Sequence, residues 1–184
     1  MRKNEGRGDM ELIDAIATRQ STRKFNAVPV TEADVKAILR AGCAAPVANG
    51  GHDRLHFTVV QSRELLRKIG GATGKAFGTP DYDPFYGAGT FVVVSVKPRE
   101  GEPTIEVADG ACAVENMLLM AAGLGLASVY LWSFRWGLKE QPALISELSL
   151  PEGFLPVSGA AIGHADEPLA PRELALPGSY NFVK

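Results

Sequence analysis

Residues 91–96 read Phe-Val-Val-Val-Ser-Val, and this run decides the fold. A strand with one solvent-exposed face alternates apolar and polar residues. An almost unbroken apolar run predicts a strand that is covered on both faces. We therefore expect a central strand with helices packed on each side of its sheet. Three further runs predict the other strands of that sheet: Leu55–Val60, 127–132 and 157–162.

Two helical patterns precede the first of these strands. One covers residues 9–18, and the other begins after Thr31, an N-cap with Asp34 at the third helical position. Both patterns place apolar or small residues three or four apart, which predicts one buried face for each helix. The residues of these faces are Leu12, Ile13, Ile16 and Ala17 in the first helix and Val35, Ile38, Leu39 and Gly42 in the second.

The longest helical pattern covers residues 102–123, and its second half is apolar on nearly every side. A helix that is apolar all round must be buried in a large core or against a partner. A chain of 184 residues has limited room to enclose such a helix completely. The pattern therefore favours a homodimer with this helix near the interface.

These elements together predict an α+β fold with a mixed, mostly antiparallel sheet of about four strands and helices on both faces. We expect residues 9–184 to form a single domain. Residues 1–8 are mostly charged or glycine, which predicts a disordered N-terminal tail. The opening segment has no apolar core after its charges, so we expect no secretory signal there.

Composition and charge exclude several classes of function. The chain is 46% hydrophobic and 22% charged with a net charge of −2, which gives no general attraction to nucleic acid or to an anionic membrane. No apolar run approaches the ~18 residues needed to span a bilayer. Cys43 and Cys112 lack CxxC spacing, which predicts free thiols suited to a reducing cytoplasm. His52, His56 and His164 lack metal-ligand spacing.

The strongest functional signal follows the first helix and reads Arg19-Gln20-Ser21-Thr22-Arg23. Two guanidiniums and two hydroxyls leave the chain within one turn's reach of each other, and a dianionic phosphate requires donors of this kind. The alternative is a basic helix end that complements the negative end of the helix macrodipole. The pentapeptide alone does not decide between these interpretations.

Two loops leave room for a ligand. Residues 45–51 contain adjacent glycines, which let backbone approach a flat ligand closely but also suit a plain connector. Residues 81–89 combine aromatic residues with glycine. Such aromatics could stack on a planar substrate or anchor the loop onto the core, and both interpretations stay open.

The order of the elements as a whole resembles the nitroreductase family of flavoproteins, from about Leu12 to Arg172. The segments that carry the resemblance are an RxSxR element at Arg19, Ser21 and Arg23, Ala45-Pro46 before the strand His56-Phe57-Thr58-Val59-Val60, residues 87–90, ENMLLMAAGLGLAS at 115–128, LPEGF at 150–154, and residues 161–164.

The resemblance implies a homodimer that binds FMN at its interface. By position, the FMN phosphate would be held by Arg19, Gln20, Ser21, Arg23 and Arg172. The isoalloxazine ring would be met, in this family from the second subunit, by Pro46, Val47, Ala48 and Asn49. The N5 side of the ring would face the backbone amides of Tyr130, Leu131, Trp132 and Ser133.

This chain departs from the family pattern at two of these places. Val47 stands where the family loop commonly has serine, and His52-Asp53-Arg54 occupies the region of a Gln-Pro-Trp sequence. The usual late Lys-x-Arg pair is reduced to Arg172.

The function implied is ping-pong electron transfer: a hydride from NADH or NADPH reduces FMN, and the electrons then pass to a small nitroaromatic, quinone or related acceptor. No side chain is required as a catalytic group, because the cofactor carries the chemistry. The alternatives are a specialised relative, such as a reductive dehalogenase or a flavin-destroying synthase, and a flavin-binding or sensing protein without turnover.

Overall fold

The computed structural model describes residues 10–176 and 178–184. The tail predicted at residues 1–8 lies outside the described residues. The elements, in chain order, are α1 (Leu12–Thr18), α2 (Glu32–Cys43), β1 (Leu55–Val60), α3 (Arg63–Ala76), β2 (Thr90–Val96), α4 (Ile105–Gly123), β3 (Ala127–Leu131), α5 (Phe134–Glu140), α6 (Ala143–Glu147) and β4 (Leu155–Gly163). Short 3-10 turns at Ala48–Gly50 and His52–Arg54 precede β1.

The four strands form one sheet in the order β1-β2-β4-β3, and every strand pair in it is antiparallel. An isolated parallel bridge also joins Ser21 to Ser128 at the outer edge of β3. Strand β2 lies inside the sheet and is buried at every position. The prediction of a covered central strand in a mostly antiparallel, four-stranded sheet is confirmed.

Helices cover both faces of the sheet and make two hydrophobic cores. Phe91 and Val93 of β2 belong to the core on the side of α3, α5 and α6, whereas Val92 and Val94 belong to the core on the side of α2 and α4. Successive side chains of a strand point to opposite faces, so one strand supplies both cores. Full burial of each such side chain contributes about 1.5–3 kcal/mol.

Helix α2 begins where its sequence predicts. The hydroxyl of Thr31 accepts a hydrogen bond from the Asp34 backbone N–H at 3.2 Å and donates one to the Asp34 carboxylate at 2.8 Å. An N-cap of this type is worth about 1 kcal/mol. Val35, Ile38 and Gly42 are buried, which confirms the predicted face.

Two helices begin later than predicted. Helix α1 starts at Leu12 rather than residue 9, because Glu11 has an extended backbone. Helix α4 starts at Ile105 rather than residue 102, since Pro103 biases the residue before it away from helical conformation.

Helix α4 is buried on one side only within this chain. Ala113, Met117 and Ala121 have no accessible surface, whereas Cys112 and Met120 on the other side are exposed. Leu12 and Ile13 of α1, predicted to lie on a buried face, are exposed as well. Within the described residues, no helix combines the length and the apolar character needed to cross a membrane.

Candidate functional site

The segment Arg19-Gln20-Ser21-Thr22-Arg23, here called the cationic segment, lies along the outer edge of the sheet. Ser21 pairs with Ser128 of β3, and the backbone N–H of Thr22 donates to the Ser128 carbonyl at 3.0 Å. Helix α1 ends at Thr18, so Arg23 lies beyond the last turn, where the effect of a macrodipole fades. Complementation of the helix macrodipole therefore accounts for the position of Arg19 but not for that of Arg23.

The C-terminal part of the chain returns to this segment. The backbone N–H of Arg172 donates to the carbonyl of Ala17 at 3.0 Å, and the Gln20 side-chain amide donates to the carbonyl of Ala170 at 3.4 Å. These contacts bring the backbone of Arg172, distant in sequence, beside the end of α1. The structure thus brings Arg19, Gln20, Ser21, Arg23 and the backbone of Arg172 to one edge of the sheet.

The donors of the cationic segment are only lightly engaged by the protein. The Arg19 guanidinium approaches the Glu115 carboxylate at 3.9 Å, the outer limit of an ion pair. Arg23 is exposed, and its guanidinium is near enough to the Tyr86 hydroxyl to act on the pKa of that group. The Thr22 hydroxyl oxygen is buried and has no hydrogen-bond partner among the described residues. The donor capacity of this edge therefore exceeds what the chain itself uses.

Tyr130, Leu131, Trp132 and Ser133 continue along the same edge strand. Leu131 is buried, while Tyr130 and Trp132 are exposed. Four residues of extended chain separate Ser128 from Trp132, or roughly 13 Å. The cationic segment and the backbone of Trp132 therefore border one stretch of surface along β3.

Five aromatic side chains make a series of ring contacts beside that stretch, and we name them the aromatic strip. In contact order they are Trp132, Trp136, Phe77, Tyr82 and Tyr86, with centroid separations of 4.8, 5.9, 5.9 and 6.4 Å. The Arg135 guanidinium lies 5.0 Å from the Trp132 ring centroid.

The aromatic strip was only partly visible in the sequence. The anchoring interpretation of residues 81–89 holds for Phe85, which is 2% exposed, whereas Tyr82 and Tyr86 lie nearer the surface and leave the stacking interpretation a prediction. Trp132 and Trp136 are four residues apart, and this spacing was the available signal for the rest. The contact of Phe77 with Trp136 depends on how α3 packs against α5, which no local pattern indicates.

The loop Pro46, Val47, Ala48 and Asn49 is anchored elsewhere, near the start of α4. The Ala48 N–H donates to the Asp109 carboxylate at 3.0 Å, and the Arg99 guanidinium donates to the Ala48 carbonyl at 2.7 Å. Asn49 has a φ of +57°, a left-handed conformation that asparagine tolerates better than most residues. These hydrogen bonds hold the loop in one conformation.

A buried carboxylate supports this anchor. Glu106 accepts hydrogen bonds from the Arg99 guanidinium, the Arg99 N–H and the Thr104 N–H, each at 3.1 Å. Backbone donors, first its own N–H and then that of Thr104, lower the pKa of the Glu106 carboxyl below 4.5, and Arg99 acts in the same direction. Glu106 thus stays ionised and holds Arg99 against the loop.

Within one chain, the loop and the cationic segment lie at opposite ends of the sheet. Arg99 follows β2, whose last residue Val96 pairs with Leu55. Ser128, beside the cationic segment, pairs with Ile162, which also pairs with Thr90 at the start of β2. Strand β2 spans about 20 Å between these ends. The structure therefore does not bring Pro46, Val47, Ala48 and Asn49 to the other predicted site residues.

A cavity of about 810 Å³ lies on the α3 side of the fold. Its lining includes Asn26, Arg63, Arg67 and Asp83, and it meets the aromatic strip at Tyr82. Among the described residues, no three side chains of His, Cys, Asp and Glu come together as a metal site would require.

Comparison with known proteins identifies relatives along most of the chain. A family model described as the Nitroreductase family matches residues 16–164. A protein of Archaeoglobus fulgidus, provisionally named an NADH dehydrogenase/NAD(P)H nitroreductase, is 31% identical over 154 residues, which are 84% of this chain and 85% of that protein. A protein of the same provisional name from Methanothermobacter thermautotrophicus is 32% identical and is matched over 95% of this chain and 88% of its own length.

The fold has a counterpart among solved structures. The crystal structure of a nitroreductase with bound FMN from Bacteroides fragilis superimposes with a TM-score of 0.79 at 28% identity, and the match covers 95% of this chain and 100% of that one.

Proposed function

This chain belongs to the nitroreductase family, and on that premise we propose that it is an FMN-dependent oxidoreductase that uses NADH or NADPH. Its acceptor is a small molecule such as a nitroaromatic compound or a quinone. When bound, FMN supplies the redox chemistry, taking a hydride from the nicotinamide and giving up the electrons in a second half-reaction. We treat residues 9–184 as the single domain that does this.

One observation carries the proposal: a segment with two arginines lies along the edge of β3, and the backbone of a third arginine, distant in sequence, lies beside the helix that precedes this segment. Arg19 and Arg23 belong to the segment that lies beside the strand. The backbone N–H of Arg172 donates to the Ala17 carbonyl, which brings the backbone of this third arginine beside the end of α1. Guanidiniums stay charged at any physiological pH and present forked donors to phosphate oxygens. The exposed Ser21 adds a hydroxyl group to this set. The donor set fits the FMN phosphate.

The residues after β3 suit the other end of the cofactor. Tyr130, Leu131, Trp132 and Ser133 follow the cationic segment along the strand, and we assign their backbone amides to the N5 side of the isoalloxazine ring. The protein's task is to bind, orient and exclude water, since the cofactor performs the electron transfer. No side chain is assigned as a nucleophile or an obligatory acid.

The second half of the ring site requires a second copy of the chain. Pro46, Val47, Ala48 and Asn49 lie at the far end of the sheet from the cationic segment, and we assign them to the flavin that the partner chain holds by its own cationic segment. The exposed apolar residues on the contacting helices α1 and α4 support a homodimer, because a contiguous exposed apolar patch marks an interaction surface. They include Leu12, Ile13 and Met120.

The cofactor assignment is tested by the visible spectrum of the purified protein. We expect a yellow protein whose FMN is released by denaturation and is bleached by NADH or NADPH under anaerobic conditions. A colourless protein that also fails to bind added FMN would contradict the proposal. A protein whose bound flavin neither nicotinamide reduces would be a binder without turnover.

The shared site is tested by mixing two defective variants. Arg19→Ala removes a phosphate contact, and Ala48→Pro removes the N–H that anchors the loop to Asp109. If each site combines the cationic segment of one chain with the loop of its partner, a mixed dimer contains one intact site and regains flavin. If both parts come from one chain, mixing restores nothing. A mixture of Arg19→Ala with Arg23→Ala is the control, because both defects then lie in the same segment.

A further inference from the structure

The aromatic strip runs between the two parts of the proposed cofactor site. At one end is Trp132, whose backbone is assigned to the ring. At the other end is Tyr86, whose hydroxyl lies near the guanidinium of Arg23, one of the residues assigned to the phosphate. A ligand with a planar aromatic head and an anionic tail has the same arrangement of chemistry.

The strip exposes aromatic surface that a planar ligand can contact, although its successive rings are tilted or edge-on to one another. Phe77 and Trp132 are each 44% exposed and Trp136 is 39% exposed, although apolar rings of this size are usually covered. The chain has two tryptophans, and both belong to the strip. Gly137 allows α5 to lie directly on α3, because a Cβ at that position would collide with Thr73. This close packing brings Trp136 of α5 beside Phe77 at the end of α3.

The Tyr86 end of the strip is held by a strained turn. The Asp83 carboxylate accepts hydrogen bonds from the backbone N–H groups of Phe85 at 2.9 Å and Gly87 at 2.8 Å. Tyr86 between them has a φ of +55°, a left-handed conformation that is unfavourable for a bulky residue. The hydroxyls of Tyr82 and Tyr86 lie 3.4 Å apart. Strain of this kind persists where the surrounding structure enforces it, often at ligand sites.

The protonation state of Tyr86 suits a hydrogen-bonding role. Burial and the neighbouring Tyr82 hydroxyl raise the pKa of the Tyr86 hydroxyl, and the Arg23 guanidinium opposes this. The hydroxyl therefore keeps its proton at neutral pH, and its oxygen remains able to accept a hydrogen bond from Arg23.

We propose that the aromatic strip is a wall of the flavin site, against which the isoalloxazine ring of FMN packs, and that Tyr86 positions Arg23 for the phosphate. This assignment rests on the proposed function. We infer that the occupant is a flavin, because the strip connects Trp132, assigned to the isoalloxazine ring, with Arg23, assigned to the phosphate, on one chain. An electron acceptor needs no contact with Arg23.

Two variants test the two parts of this proposal by their selectivity between FMN and riboflavin. Trp136→Leu removes a ring from the middle of the strip and is expected to weaken FMN and riboflavin alike, by about two- to tenfold, the worth of an aromatic pair. Tyr86→Phe keeps the ring but loses the hydroxyl, so FMN affinity falls and riboflavin affinity stays. Dissociation constants come from titrations followed by flavin fluorescence, and Trp136→Leu should also leave bound flavin more emissive because an indole quencher is gone.

Phe154→Leu is the matched control, because Phe154 contacts His56 in an aromatic pair outside the strip. It should leave both affinities unchanged. If Trp136→Leu lowers the melting temperature markedly, Trp132→Leu serves in its place. Unchanged binding of both ligands in the strip variants overturns this proposal while the proposed function stands, and a change confined to the acceptor's KM does so too. A parent protein that binds no FMN overturns both.

Discussion

The two ends of the sheet use the same kinds of charged residue in opposite ways. At the end near α4, the Arg99 guanidinium is held by the Glu106 carboxylate and the Ala48 carbonyl, and the Asp109 carboxylate accepts from the Ala48 N–H. At the end beside β3, Arg23 is exposed and Arg19 makes an ion pair only at 3.9 Å.

The difference separates charges that build structure from charges that remain available to a ligand. A buried carboxylate such as Glu106 needs partners, because an ion taken out of water without them is costly. Arg23 is exposed and keeps its hydration until an anion replaces it, and the Arg19 guanidinium, 17% exposed, comes no closer than 3.9 Å to the Glu115 carboxylate. Replacement of a structural arginine is therefore expected to lower the free energy of unfolding, and replacement of a ligand-binding arginine to lower the affinity for FMN.

Arg19→Ala should give the largest effect. A charge-assisted hydrogen bond is worth about 1.5–3 kcal/mol, so FMN affinity should fall roughly 10- to 150-fold. Riboflavin, which lacks the phosphate, should be much less affected. Titration of the variant with both ligands measures the ratio.

Glu115→Gln is the control for Arg19→Ala. It removes the carboxylate that approaches the Arg19 guanidinium and should leave FMN binding unchanged or slightly tighter. Equal losses of FMN and riboflavin in Arg19→Ala would make Arg19 a structural residue and would erase the contrast between the two ends.

Arg99→Ala should affect folding first. It removes the hydrogen bonds to Ala48 and Glu106, which lowers the free energy of unfolding by about 1–3 kcal/mol. Its preference for FMN over riboflavin should stay that of the parent. Denaturant melts and the two titrations measure these quantities, and Arg67→Ala on α3 should change stability by no more than about 0.5 kcal/mol. A loss of phosphate selectivity would place Arg99 among the ligand contacts.

The loss of stability at low pH should depend on the Glu106 carboxylate. Its pKa is lower in the folded chain than its ordinary value of 4.5, so its contribution is complete above that value and is lost as the pH falls through the folded pKa. Stability should therefore decline below pH 4.5, and Glu106→Gln should decline less steeply there. Glu32→Gln, an exposed change on α2, should follow the parent more closely. Melting temperatures measured across this pH range test the prediction. The same dependence of melting temperature on pH in the parent and in Glu106→Gln would show that Glu106 does not cause the loss of stability.

The smallest effects are expected where no side chain is needed for catalysis. Cys43→Ala, Cys112→Ala and His164→Ala should each keep flavin reduction by NADH or NADPH within about tenfold of the parent, since a general acid or base contributes 10²–10⁴-fold. Both thiols are free and exposed, and neither lies in the cationic segment. Stopped-flow reduction at matched flavin content is the measurement. A hundredfold loss in any variant would reveal a catalytic side chain.

The parts of the fold that could be predicted are those with local signals. The apolar run of β2 indicates its central place because burial on both faces demands it, and the Thr31 cap marks the start of α2 because the cap acts within one turn. The later start of α4 depends on Pro103, a signal that was present but was outweighed by the apolar pattern that follows it.

The site was predictable where one short segment carries its chemistry. The cationic segment holds most of its donors within five residues. The position of Arg172 and the separation of Ala48 from Arg19 depend on how distant elements pack, and no local pattern records that. Trp136 and Phe77 meet for the same reason, through the contact of α5 with α3.

The pairing of Ser21 with Ser128 also concerns how the protein stays apart from its neighbours. Strand β3 is an edge strand, and an uncovered edge offers its backbone groups to any other strand that approaches. The cationic segment occupies the start of that edge, and its charges discourage a second sheet from adding there. A cofactor that holds the segment in place would also keep the edge covered. We therefore expect the flavin-free protein to aggregate faster than the loaded one.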